Sequence, residues 1–264
     1  MKERPTGDIE LKGDILCCKD LRKEGTWAGL NVKSGRFVVL TNVRLTKDLD
    51  STGFKSRGQL VQQFLHQDAE RLEESEMKLY PPFNLIYGNL FHSKPKMVVI
   101  SNAHHFPQHV HQPHLFQSFL TIENGDHAIS NSFVNDLSWP KVDYLRSNIS
   151  EILSKEELAF PFLNQELKGE EVASTKLVSE LQSLLTSKPN FPAEKHPKFV
   201  SNHGPEMEHQ LQKDLFVEIP SQKYQTRSQT IVLKPKNSKY IHYLFRKTET
   251  SASEAWKVFS VLTK

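Results

Sequence analysis

A chain of 264 residues can hold one large domain or two small ones, and at this length roughly 70% of the unfolded surface can be hidden on folding. Its hydrophobic share of 37% is below the usual value of about 45–50%. Aromatic and β-branched residues are nevertheless plentiful, which excludes a disordered chain and points to one folded domain, 1–264, with long polar loops. Lys and Arg number 34 against 31 Asp and Glu, a net +3; with no basic face or nucleic-acid motif beside it, that balance excludes nucleic-acid binding.

The N-terminus, MKERPTGDIELKGD, is charged and has no apolar centre, so it does not read as a secretory signal. The first expected strands are 14–18, 26–32 and 36–43, the last two joined by Lys33-Ser34-Gly35, a hairpin connection. Cys17 and Cys18, the two cysteines, are adjacent. Neighbours of this kind form no disulfide framework, which favours a reducing compartment. On a strand one of them faces the core and the other faces away. Trp27 opens its strand and is expected to pack in the core.

In SRGQLVQQFLHQ, Leu60, Val61, Phe64 and Leu65 make a helical stripe with Ser56 as N-cap and Arg57 capping or orienting the helix start. A mostly charged helix is expected over 69–79, ending at Pro81-Pro82, followed by strands 83–90 and 97–101. The segment AHHFPQHVHQPHLFQSFLTIE holds five of the twelve histidines. His109 and His111 are the weak haem or metal candidates in it. No Cys or carboxylate with ligand spacing stands beside them, so a solvated loop is the plainer reading and no metal site is expected.

Glu123-Asn124-Gly125-Asp126 is a turn signal, and Ser138-Trp139-Pro140 leads into a helix over 141–153. Another helix is expected over 171–186, then an irregular insertion near 187–208 rich in Pro, Lys and His. Strands close the chain at 215–219, 226–234, 239–247 and 256–262. Strands, helices, then strands, with short turns between consecutive strands, predict an α+β fold of antiparallel sheets layered with helices. No run approaches the roughly 18 apolar residues of a spanning helix.

Four polar clusters sit at strand or turn ends: Thr41-Asn42-Val43-Arg44, Ser56-Arg57-Gly58, Ser130-Asn131 and Thr226-Arg227-Ser228. Taken in order, GTWAGLN, LTNVR, SRGQLVQQFL, FNLI, the SN of AISNS, the WPK after it and TRSQTIVL resemble the transport and Golgi organisation 2 family. This is also called the NRDE family, after its Asn-Arg-Asp-Glu signature. The resemblance runs from about Arg4 to the C-terminus. It implies the αββα sandwich of the N-terminal nucleophile hydrolases, in whose cysteine-dependent members an N-terminal Cys attacks and its own α-amino group is the base. Asn side chains there donate to the oxyanion. Carried over by motif, Asn42 and Asn131 are amide donors and Arg227 an arginine lining the same pocket, suited to an anionic group. The expectation is that all three converge on one concave site.

The sequence departs from that pattern at its start. Family members begin Met-Cys, a strand, the NRDE signature and an Arg-Pro pair. Here Arg4-Pro5 matches that pair, so the nucleophile, its Arg and its Asp are absent and the fold is expected to lack its first strands. Lys2 is too large for efficient removal of the initiator Met, and an interior Cys17 or Cys18 has no α-amino base. The resemblance therefore implies a non-catalytic member, involved in Golgi organisation, protein secretion and haem or lipid/acyl-coenzyme A homeostasis. Haem is then a candidate transported ligand, in a cytoplasmic protein with peripheral Golgi or mitochondrial association. The alternative is a cysteine amide or thioester hydrolase whose nucleophile lies in an upstream segment.

Overall fold

Short turns between apolar runs decide the architecture. The computed structural model describes residues 6–22, 24–50, 52–66, 71–158, 167–189, 191, 214–219, 224–236, 238–248 and 254–263. They fall into two compact units, one within residues 6–136 and the other within 137–263. Both combine helices with antiparallel sheets, the α+β class expected from the sequence. The expected insertion at 187–208 lies outside the described residues apart from 187–189 and 191.

The first unit is built on one seven-stranded sheet: β1 Thr6–Lys12, β2 Ile15–Asp20, β3 Ala28–Asn31, β4 Arg36–Asn42, β5 Phe83–Asn89, β6 Met97–Ser101 and β7 Phe119–Ile122. Each strand pairs antiparallel with the next, so sheet order equals chain order. The β3–β4 turn shows why. Asn31 Oδ1 accepts from the N–H groups of Lys33 and Ser34, and Gly35 takes φ +76°, open to glycine at no steric cost.

Helix α1, Arg57–His66, lays Leu60, Val61, Phe64 and Leu65 on this sheet against Ile15, Cys17, Val38, Leu85, Tyr87 and Ile100. Each such buried side chain stabilises by about 1.5–3 kcal/mol. Phe64 meets Tyr87 edge-on with ring centroids 5.2 Å apart. The opposite face is buried as well: Leu16, Cys18 and Leu30 are all within it. Cys17 and Cys18 therefore both lie in apolar surroundings on opposite faces, where the sequence suggested that only one would. Burial pushes the Cys17 thiol above its ordinary value, a rise that a hydrogen bond with Thr26 and the charge of Lys19 partly offset and that Glu10 reinforces.

Two strands of this sheet were not read from the sequence. β1 is half charged and gains its place by pairing with β2, from Ile9↔Cys18 to Lys12↔Ile15. β7 ends the histidine-rich segment and pairs with β6 from Met97↔Ile122 to Ile100↔Phe119. The charged helix expected over 69–79 is one turn, α2 Glu74–Met77, among the described residues. With Met77 buried beneath it, a single anchor holds a single turn.

The second unit contains β8 Glu218–Ile219 paired with β9 Tyr224–Gln225, and a three-stranded sheet of β10 Ser228–Leu233, β11 Tyr240–Lys247 and β12 Lys257–Leu262. Helices α3 Pro140–Ser154, α4 Glu170–Ala173 and α5 Lys176–Leu185 share a core with Ile231, Leu244 and Val258. The sequence predicts one helix over 171–186. It is broken at Ser174-Thr175, where the Thr175 hydroxyl caps a new helix by accepting from the Val178 N–H. Behind this sheet Ile241, Tyr243 and Phe245 are fully buried too.

Candidate functional site

Alternation along β4 places the first candidate. Val38, Leu40 and Asn42 share one face of the sheet, and the core under α1 takes Val38 and packs against Leu40. Asn42 is the next residue on that face, the last of β4, and it is exposed. A cleft of about 530 Å³ opens there, lined by residues of the three motifs that precede position 60: Gly25-Thr26-Trp27, Leu40 with Asn42, and Ser56-Arg57-Gly58. Asp20, Phe54, Lys55 and Pro81 complete the wall. Its size is that of a small-molecule pocket.

Two glycines bring the walls together. A Cβ on Gly25 would stand 2.8 Å from the Gly58 Cα, and one on Gly58 would stand 2.9 Å from the Gly25 Cα. The loop before β3 and the first turn of α1 therefore touch backbone to backbone, which no other residue permits. The Pro82 carbonyl ties in the rest: it accepts from the Val43 N–H at 3.1 Å and from Arg57 Nη1 at 2.8 Å. Arg57 thus orients the helix start, as read from the sequence, and lines the cleft besides.

Asn131 meets Asn42 through the main chain. Its side-chain amide donates to the Asn42 carbonyl at 2.8 Å, and its own carbonyl accepts from the Arg44 N–H at 2.7 Å. Buried Asn84 holds the same corner from below, donating to the Thr41 hydroxyl and the Ser132 carbonyl. Asn131 is therefore the brace of the strand end that carries Asn42. Arg227 belongs to the second unit. It lies between β9 and β10, half-buried, and its carbonyl accepts from the Thr248 N–H at 3.0 Å.

Trp27 is half-buried and lines the cleft, where the sequence suggested core packing. Its carbonyl accepts from the Leu40 N–H, so the main chain extends the β3–β4 ladder at the cleft wall. Glycine on one side of it and the exposed strand end on the other were the signals available in the sequence. Among the described residues no group of three or more His, Cys, Asp or Glu could hold a metal ion. His109 and His111 flank Val110, which is buried and bridges to Leu45.

A family model described as Transport and Golgi organisation 2 matches residues 1–248, all but the last residues of the chain and both units. The chain belongs to the Transport and Golgi organisation 2 family. No curated protein and no solved structure matches it. Of the motifs that first suggested this family, GTWAGLN, LTNVR and SRGQLVQQFL contribute residues to the cleft lining, and Asn84 of FNLI and Asn131 hydrogen-bond at the strand end beside it. No helix among the described residues is long and apolar enough to cross a membrane.

Proposed function

We propose that this member of the transport and Golgi organisation 2 family is a ligand-binding protein acting in Golgi organisation and protein secretion, without catalysis of its own. The carrying observation is that the separate motifs Gly25-Thr26-Trp27, Asn42 and Ser56-Arg57-Gly58 line one cleft. Lys55 and Arg57 against a single Asp20 favour an anionic group, while Trp27, Leu40, Phe54 and Pro81 favour an apolar body. Haem and acyl-coenzyme A share that chemistry, which supports a role in haem or lipid homeostasis, with peripheral Golgi or mitochondrial association. Asn131 serves as the brace of Asn42, and Arg227 keeps an anion-binding role.

The fold proposed for this function is a single domain with the αββα layering of the N-terminal nucleophile hydrolases. Two features support it. Each main sheet carries described helices on one face and is buried on the other, through Leu16, Cys18 and Leu30 in one and Ile241, Tyr243 and Phe245 in the other. One family model also runs without interruption across both units.

The test is calorimetric titration of the full chain with haem and with an acyl-coenzyme A. Binding of either in the micromolar range, weakened at least about tenfold by Trp27→Ala and by Arg57→Ala, supports the reading, tenfold being about 1.4 kcal/mol. Absence of binding by both overturns it. Arg227→Ala in the same titration tests the role given to that residue, and a His109→Ala, His111→Ala double variant that leaves the haem spectrum unchanged removes those two as ligands.

A further inference from the structure

The histidine-rich segment is more than a connection. After β6, the turn Ala103–His105 sets the His104 and His105 rings 3.9 Å apart at 45°. His104 Nε2 shares a hydrogen bond with the Ser118 hydroxyl at 3.2 Å, and the Nε2 of His105 is buried without a hydrogen-bond partner. The next residue, Phe106, packs on Phe54 of the cleft wall, ring centroids 6.0 Å apart. The turn then hands on to His109, whose carbonyl accepts from the Thr46 N–H at 2.7 Å, and to the Val110↔Leu45 bridge. One short segment thus clasps both Phe54 and the chain just beyond Asn42.

We propose that His104 and His105 form an acid-sensitive latch that holds this wall of the cleft closed at neutral pH and releases it on protonation. A proton on either ring would be a partly buried cation beside a second imidazole. The charged groups facing the pair are Glu74 of α2 and Lys78 just after it; Glu74 favours the cation and Lys78 opposes it, a main-chain hydrogen bond at Ser101 also favours the His104 cation, and Ser118 is an uncharged contact. Burial is the largest influence on both rings and lowers both proton affinities below the ordinary histidine value. The sign follows: the open segment binds more protons than the closed one, so closure is complete above the ordinary histidine range and weakens as pH falls through it.

The latch concerns the wall itself, so it can be tested without a ligand. Amide hydrogen exchange of the full chain is followed at about pH 7.5 and about pH 5.5, a span chosen to bracket histidine titration, with intrinsic rates corrected. The amides of Thr46, Lys55, His109 and Val110 should lose protection by about tenfold or more in acid, tenfold per pH unit being the limit for one linked proton. Amides of the β4–β5 ladder should keep theirs. In a His104→Gln, His105→Gln variant the pH response should vanish. Equal protection at both pH values, or the same loss in the variant, would overturn the latch. Should the variant not fold, the ring-proton NMR titration of the unaltered chain decides. Midpoints for both rings at or above about 6.5 exclude the latch, and depressed midpoints support it.

Discussion

Asn102 and Asn131 both follow a serine, yet their positions give them different work. Asn102 is fully buried; its amide donates to the carbonyls of Met77 and Tyr80 at 2.9 Å, and its Oδ1 accepts from the Phe83 N–H at 2.8 Å. It closes the Pro81-Pro82 corner that delivers Pro82 to Arg57. Removing it takes the side-chain partner from the Tyr80 carbonyl and the Phe83 N–H, each worth about 1–3 kcal/mol, and one of two partners from the Met77 carbonyl, which keeps the Tyr80 N–H. Asn102→Ala should therefore destabilise by roughly 3 kcal/mol or more, read as a shift of the urea midpoint. Asn131→Ala removes one bond open to water and should cost under about 1 kcal/mol, while loosening Asn42. Comparable losses in the two variants would mean that the Asn131 brace is structural rather than part of the cleft.

Where α1 meets the loop before β3, two opposing effects compete at Gly58. Alanine is the better helix former by up to about 1 kcal/mol. Its Cβ, however, would lie 2.9 Å from the Gly25 Cα and 3.1 Å from the Thr26 N, backbone atoms that cannot swing aside. Overpacking of this kind costs about 1–3 kcal/mol, so the clash wins and Gly58→Ala should destabilise by about 1–2 kcal/mol. A raised midpoint in urea would show that the two elements do not touch. At this scale α1 was legible because four apolar residues at helical spacing have one solution. β1 and β7 were not, because their strand character comes from pairing with β2 and β6, and TGDIELK alone reads as a charged tail. The break between α4 and α5 hid for the opposite reason: the apolar pattern continues across it, and only the Thr175 cap interrupts the backbone.

For the whole molecule, the sequence pattern conveyed the α+β class through turns and alternation, but motif order could not say which polar residues meet. Asn42 joins Gly25 and Gly58 because β4 ends level with the start of α1, a length relation that no local pattern states. The open question at this scale is cooperativity. A chain of 264 residues with two compact units lies beyond the size, about 150 residues, up to which all-or-none unfolding is the rule. Two probes can report on the units separately. Cys17 and Cys18 lie in the first and are buried, and burial holds the Cys17 thiol protonated at neutral pH, so both should react with a thiol reagent only on opening. Of the three tryptophans, Trp139 and Trp256 lie in the second. Trp256 is fixed by donating to Gln182 Oε1 at 2.9 Å and by the Arg246 guanidinium 4.7 Å over its ring. In a Trp27→Phe variant the fluorescence follows that unit alone. If the chain is the single domain proposed, thiol exposure and fluorescence should change at one urea concentration, with the steep slope expected for exposing the whole surface at once. Two separate midpoints, each with a shallower slope, would establish two independently stable cores and overturn the single-domain reading.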